Sequence, residues 1–306
     1  MKLGRLLQLL FLTAYACSMP GIASALDVAE KHLDDLLHQC RNGQGDYILA
    51  ARMQALYLNN KAMLQKSLGE STVKVSIDEL PNYLQEHSSV QMPVGYDECK
   101  SDLDTALEAL HIAHRLAETR HKAGFATVDT LFETGAELYH ATQAYTMWYD
   151  AKDIPVPVPS REELLKLHAT ITKAATAMGD KERQLQADLL RYRYLEPNPD
   201  KVVQLQKAKV ERVQQKLNAG QASQWEQQEA KLDLLESEIF LNPLSVDSVR
   251  RNMSTYATEA AAFYAHLEKA AAAGFAATPE QLLRARLRML NAAASLQQLE
   301  MDEEEN

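Results

Sequence analysis

From Asp27 onward, apolar residues recur every three or four positions, the period of helices that bury one face. Leu33, Leu36, Leu37 and Cys40 form the first such stripe and predict a helix from Asp27 to Arg41. The same pattern predicts helices from Tyr47 to about Ser67, Asp97 to Lys122 and Val128 to about Ala151. Beyond a proline-rich stretch it continues from Ser160 to Met178 and on to Leu195, then from Asp200 to Asn218 and Gln224 to Leu241. The last two stripes run from Val246 to Ala273 and from Pro279 to about Met301.

The punctuation between these stripes is repetitive. Gly124 offers a residue that tolerates positive φ where one helix closes, and Thr127 offers an N-cap oxygen for the next. Gly43 is followed in the same way by Asp46, Gly220 by Ser223, and Gly274 by Thr278. Ser223 with Glu226, and Thr278 with Gln281, have capping-box spacing, and Pro279 suits a first helical position. Four short corners predict four antiparallel αα-hairpins. The fold class is therefore all-α, a bundle of stacked antiparallel αα-hairpins with tight glycine and N-cap corners.

Two stretches break the pattern. Residues 68–96 form the least helical part, an irregular insert in which Ser71 to Ile77 alternates like a short strand, Asp78 and Pro81 suit a short helix, and Met92-Pro93-Val94-Gly95 reads as loop. Ile154-Pro155-Val156-Pro157-Val158-Pro159 cannot continue a helix and predicts a stiff, extended connector. Taken as the internal boundary, it divides the chain into 26–153 and 160–306, with two hairpins on each side. Gly179-Asp180 predicts a kink or break, and Pro197-Asn198-Pro199 a further one with Asn198 as cap. Unequal corner spacing argues against a regular solenoid.

The start of the chain changes the setting. Met1-Lys2-Leu3-Gly4-Arg5, an apolar run to about Ser18, and Ala23-Ser24-Ala25 read as a secretory signal peptide over residues 1–25. Export across the inner membrane, into the periplasm of a Gram-negative envelope, is the expected destination. Cys17 would serve a lipid anchor, but Ala14-Tyr15-Ala16 makes a poor lipobox. No later stretch predicts an integral membrane segment. The formal charge of −10 becomes −12 once Lys2 and Arg5 are removed. That balance, with the acidic end Glu300 to Asn306, argues against nucleic acid or anionic lipid as the main partner. Scarce glycine among abundant alanine, leucine, glutamine and glutamate agrees with an all-α chain.

Around the corners the residues resemble a known pattern. Ala123-Gly124-Phe125-Ala126-Thr127-Val128-Asp129-Thr130-Leu131 is similar to the hairpin tips of TolC-type outer-membrane efflux proteins. So are Ala219-Gly220-Gln221-Ala222-Ser223 and Ala273-Gly274-Phe275-Ala276-Ala277-Thr278. The resemblance implies periplasmic tips that meet an adaptor protein, with Gly124, Phe125, Thr127, Gly220, Ser223, Gly274, Phe275 and Thr278 as partner-binding positions. It covers about 25 residues at each corner. The chain departs from that family in lacking alternating barrel strands and in having helices of only ~30–45 Å.

Candidate chemistry is sparse. Glu108-x-x-His111, Glu118-x-x-His121 and Glu137-x-x-His140 share the spacing of di-metal helical bundles. Folding the hairpin about residues 125 and 126 sets His111 opposite His140 and His114 opposite Glu137. These four are the alternative metal set, although no other helix offers matching inward carboxylates, and Glu and His three apart also arise as surface pairs. Metalloprotease, nucleophile-elbow, phosphate-loop and Cys-x-x-Cys signatures are missing, so neither catalysis nor a cofactor is implied. Trp148 and Trp225 read as core aromatics, and the Asn252-Met253-Ser254 sequon lies within a helix. Cys40 and Cys99 precede different corners, and a helix nearly ~40 Å long separates Cys99 from its own. Level corners would keep the two thiols apart; a disulfide would require staggered hairpins. The expectation is thus a non-enzymatic interaction or scaffold protein with a protein partner in the envelope. Whether the stripes close within one chain or in a homo-oligomer is left open.

Overall fold

The computed structural model describes residues 20–70, 96–146, 149–241, 246–274 and 277–304. Among these are ten α-helices and no strand: α1 (Pro20–Arg41), α2 (Tyr47–Glu70), α3 (Tyr96–Lys122), α4 (Val128–Tyr145), α5 (Arg161–Met178), α6 (Lys181–Leu190), α7 (Pro199–Asn218), α8 (Gln224–Leu241), α9 (Val246–Ala272) and α10 (Pro279–Glu304). A 3-10 turn covers Ala151–Asp153, and α6 runs into a π-helical segment, Arg191–Leu195. The alternating stretch at 71–77, the short helix at Asp78 and Pro81, the loop at 92–95, Trp148 and Phe275 lie outside the described residues.

Capping chemistry sets most of the boundaries. Ser160 and Glu163 close a full capping box at the start of α5. Asn198 caps α7 through the Lys201 N–H, with Pro199 in its first turn. At Gly43, Gly124, Gly179 and Gly220 a backbone N–H beyond the glycine reaches back five residues, as Phe125 N–H does to Arg120 O at 2.7 Å. This is the Schellman closure, and it places those glycines at φ of 67–77°.

Several expectations need correction. The first helix begins at Pro20, seven residues before Asp27, and α2 continues through 68–70, which were assigned to the irregular insert. The fourth helix stops at Tyr145 rather than near Ala151. There the Tyr145 hydroxyl donates to Asp104 Oδ1 at 2.7 Å and to Asp153 O at 3.3 Å, so the chain after α4 folds back over its end. Of the kink or break expected at Gly179-Asp180 the structure has the break, a left-handed corner with Asp180 as the next N-cap. The residues to Leu195 do not stay α-helical but widen into the π segment.

The chain forms two compact units, each built from separate stretches. Unit 1 takes residues 1–45, 56–103 and 243–306; unit 2 takes 46–55 and 104–242. The proline connector, expected as the boundary, therefore lies inside unit 2, because helix pairing follows contacts distant in sequence. In unit 1, α1 packs on α10, and α9 on α10. His32 and Tyr264 meet through ring nitrogen and hydroxyl at 3.3 Å, and the Arg286 guanidinium lies over the Tyr264 ring. Cys40 and Cys99 are buried thiols without a disulfide.

In unit 2 small residues bring the helices close. Ala113 and Ala117 of α3 pack with Ile48 of α2 and Leu131 of α4. Phe132, Leu164, Ile171, Ala187 and Leu195 form a second cluster, and Leu185, Leu189 and Val202 a third. Gly135 of α4 sits so tightly that an added Cβ would lie 2.6 Å from Leu164 Cδ2 and 3.0 Å from His114 Cε1.

Candidate functional site

Three corners of unit 2 and the cap of α2 are tied into one edge by side-chain bridges. Arg120, in the last turn of α3, reaches Asp46, the cap of α2, at 2.9 Å. Beyond the Gly124 corner, Asp129 in the first turn of α4 is gripped by Arg183 in the first turn of α6. Glu182 of that same turn pairs with Lys216 in the last turn of α7, beside Gly220. The starts of α2, α4 and α6 and the ends of α3, α5 and α7 consequently share one end of the unit.

This edge is studded with apolar side chains. Phe125 is 86% exposed, Met178 64% and Tyr47 52%, and each adjoins a corner: after Gly124, before Gly179 and after Asp46. The fourth large exposed hydrophobic residue among those described, Ile112 at 53%, lies in mid-α3. Single exposed apolar residues are ordinary, but clustering along one ordered edge is a feature of contact surfaces. Between the Gly179 and Gly220 corners lies an open cleft of about 560 Å³, lined by residues including Asp180, Lys181, Glu182, Arg212, Lys216 and Gln221.

The tip positions read from the sequence fall into two groups. Gly124, Phe125 and Thr127, with Gly220 and Ser223, stand on the unit 2 edge. Thr127 accepts from Thr130 N–H, and Ser223 exchanges hydrogen bonds with Glu226. Gly274 and Thr278 belong to unit 1, where Thr278 and Gln281 complete their capping box at 3.0 and 3.2 Å. Tyr47, Met178 and the Gly179 corner were missed as edge members. Tyr47 and Met178 fit their helical stripes as core residues, and only exposure distinguishes them.

The four candidate metal ligands are not brought together. Among the described residues no group of three or more His, Cys, Asp or Glu could hold a metal ion. Glu137 is taken by Arg52, whose guanidinium reaches it at 2.6 and 2.7 Å and Glu133 at 2.8 Å. Burial alone would lower the Arg52 pKa; the two carboxylates more than offset it and hold it raised. His114 is buried against Thr134 at 3.2 Å, while His111 Nδ1 is buried without a hydrogen-bond partner. His140 instead stacks on Tyr194 of the π segment, ring centroids 4.4 Å apart. Desolvation and then Arg193 lower the His140 pKa, an effect limited by water at its exposed edge. The predicted coincidence across the hairpin is thus spent on an ion pair, a buried hydrogen bond and a ring stack.

The π segment carries a second polar layer. Burial raises the Tyr194 hydroxyl pKa, with Arg193 opposing and Glu137 adding to the rise. Arg193 points toward Ser237 of α8 at 3.4 Å, and Lys209 of α7 pairs with Asp233 at 2.7 Å. These are satisfied internal links that set how α4, α7 and α8 meet the π turn. No described helix is long and apolar enough to cross a membrane.

Comparison of the chain with protein-family models, curated proteins and solved structures gives no match.

Proposed function

We propose that this is an exported, non-enzymatic interaction or scaffold protein of the cell envelope whose unit 2 corner edge seats on a protein partner. The observation that carries the reading is the alignment of Tyr47, Phe125 and Met178 along an edge braced from corner to corner by ion pairs. Such bracing fixes the corners that carry the apolar side chains before contact, which lowers the backbone ordering cost of association. Partner helices can then pack against the tips by groove or coiled-coil contacts. The leader-like start supports export, and the likeness of the Gly124 and Gly220 tips to TolC-type tips supports the same orientation toward an envelope partner.

The test is affinity recovery of the partner from envelope extract with the native chain and with Gly124→Ala/Phe125→Ser. Loss of one reproducible partner, with helical content by circular dichroism unchanged, is the expected result. Equal recovery by a folded variant would overturn the reading.

A further inference from the structure

Asp180 and Glu182, the two carboxylates that line the cleft, are already occupied within the chain, as are the acidic groups that bridge the corners. Asp46 is held by Arg120, Asp129 by Arg183 and Glu182 by Lys216. Asp180 and Glu226 serve as helix caps, accepting from Arg183 N–H and from Ser223 N–H. Three cations differ: no ion pair among the described residues holds Lys122, Lys181 or Arg212. Lys181 and Arg212 both line the open cleft between the Gly179 and Gly220 corners, while Glu211, next to Arg212 in sequence, does not. Met178, exposed and apolar, adjoins the same cleft through Gly179. On a chain of net charge −10, the uncommitted charge lining this cleft is positive.

We propose that this cleft receives a carboxylate side chain carried on an apolar-faced helix of the partner protein, between Lys181 and Arg212, with the apolar face against Met178. The inference rests on the protein-partner reading above and adds the partner's chemistry. Charge complementarity of this kind steers encounter and selects among otherwise similar helices.

Two fluorescein-labelled helical peptides of equal length test it by anisotropy against the full chain. One carries leucines on one face with flanking glutamates, and the other has glutamine at each glutamate. The expected result is that the glutamate peptide binds about ten-fold tighter, and that this preference shrinks as salt rises past ~0.15 M. Lys181→Gln/Arg212→Gln should abolish the preference, while Phe125→Ser should weaken both peptides alike. Equal binding of the two peptides, or a preference that survives the double variant, would overturn the acidic-partner assignment. In that case continued sensitivity to Phe125→Ser would leave the docking edge standing. Binding to phosphatidylglycerol vesicles with neither peptide bound would overturn both. Salt-sensitive self-association lost on removing residues 302–306 would make the occupant a second copy and overturn the assignment to a partner protein.

Discussion

Arg183 holds Asp129 two-handed, Nε to Oδ1 at 2.7 Å and a terminal nitrogen to Oδ2 at 2.5 Å, joining the first turns of α6 and α4. The pair is partly exposed, so it is worth on the order of 1 kcal/mol, near the upper end for surface pairs because of its bidentate geometry. Asp129→Asn should lower urea stability by about that amount. A double-mutant cycle with Arg183→Gln should recover most of the loss as coupling; a coupling near zero would show that the corners are not braced this way.

Arg52 makes a harder test of packing. It is mostly buried between Glu133 and Glu137, and removing it leaves two carboxylates facing each other in a drier setting. Arg52→Met should cost about 2–4 kcal/mol, less than a fully buried pair because both glutamates keep some water. Adding Glu133→Gln and Glu137→Gln should return a large part. If the triple variant is no more stable than Arg52→Met, the loss comes from packing of the side chain and not from stranded charge.

Glycine matters differently at two positions. Gly124 has φ of 77° with open space where a Cβ would go, so Gly124→Ala should cost only the left-handed backbone penalty, about 1 kcal/mol. Gly135 lies within α4, where alanine gains roughly 1 kcal/mol in helix propensity, but its Cβ would stand 2.6 Å from Leu164 Cδ2. Overpacking of about 1–3 kcal/mol should outweigh that gain, leaving Gly135→Ala net destabilised. Chemical denaturation reads both, and a stabilised Gly135→Ala would show that Leu164 moves aside freely.

The acid side of the stability profile follows from His114. Desolvation by burial lowers its pKa below 6.5, partly countered by Glu118. The unfolded chain therefore binds a proton that the folded chain refuses, so the stability linked to this residue is present above pH 6.5 and is lost as pH falls through the folded value. The urea midpoint should drop between about pH 7.5 and pH 5.5. Because His32 and His140 are also lowered by burial, His114→Gln should flatten the drop only in part. An unchanged pH slope in that variant would remove His114 from the account.

The corners were legible because the signal is local. A glycine and a side-chain oxygen a few residues later state where a helix stops and restarts, as at Gly124 and Thr127, with no help from distant residues. Gly179 was harder to read because Asp180 follows immediately and the flanking stripes run on. The end of α4 at Tyr145 was not legible, since nothing in the sequence nearby breaks a helix and the stop comes with hydrogen bonds to Asp104 and Asp153. The π segment also escaped notice, as Arg191 to Tyr194 fits an α stripe as well as a wider one. The His111, His114, Glu137 and His140 coincidence did not form, because His114 meets Thr134 and Gly135 across the hairpin while Arg52 and Tyr194 approach Glu137 and His140 from outside it. Exposure of Tyr47 and Met178 depends on which neighbours cover a stripe, and periodicity is silent on that.

The packing of α1 on α10 joins segments more than two hundred positions apart. Loop closure over that span grows only logarithmically in cost, yet it sets an order of events. As the chain is synthesised, the part of its first amphipathic helix that rests on α10 stays uncovered until the last helix has emerged, even though Tyr57 of α2 can reach Glu30 of α1 early. A nascent polypeptide of this kind leaves part of an apolar stripe on offer for the whole of its synthesis, the state that holding chaperones recognise.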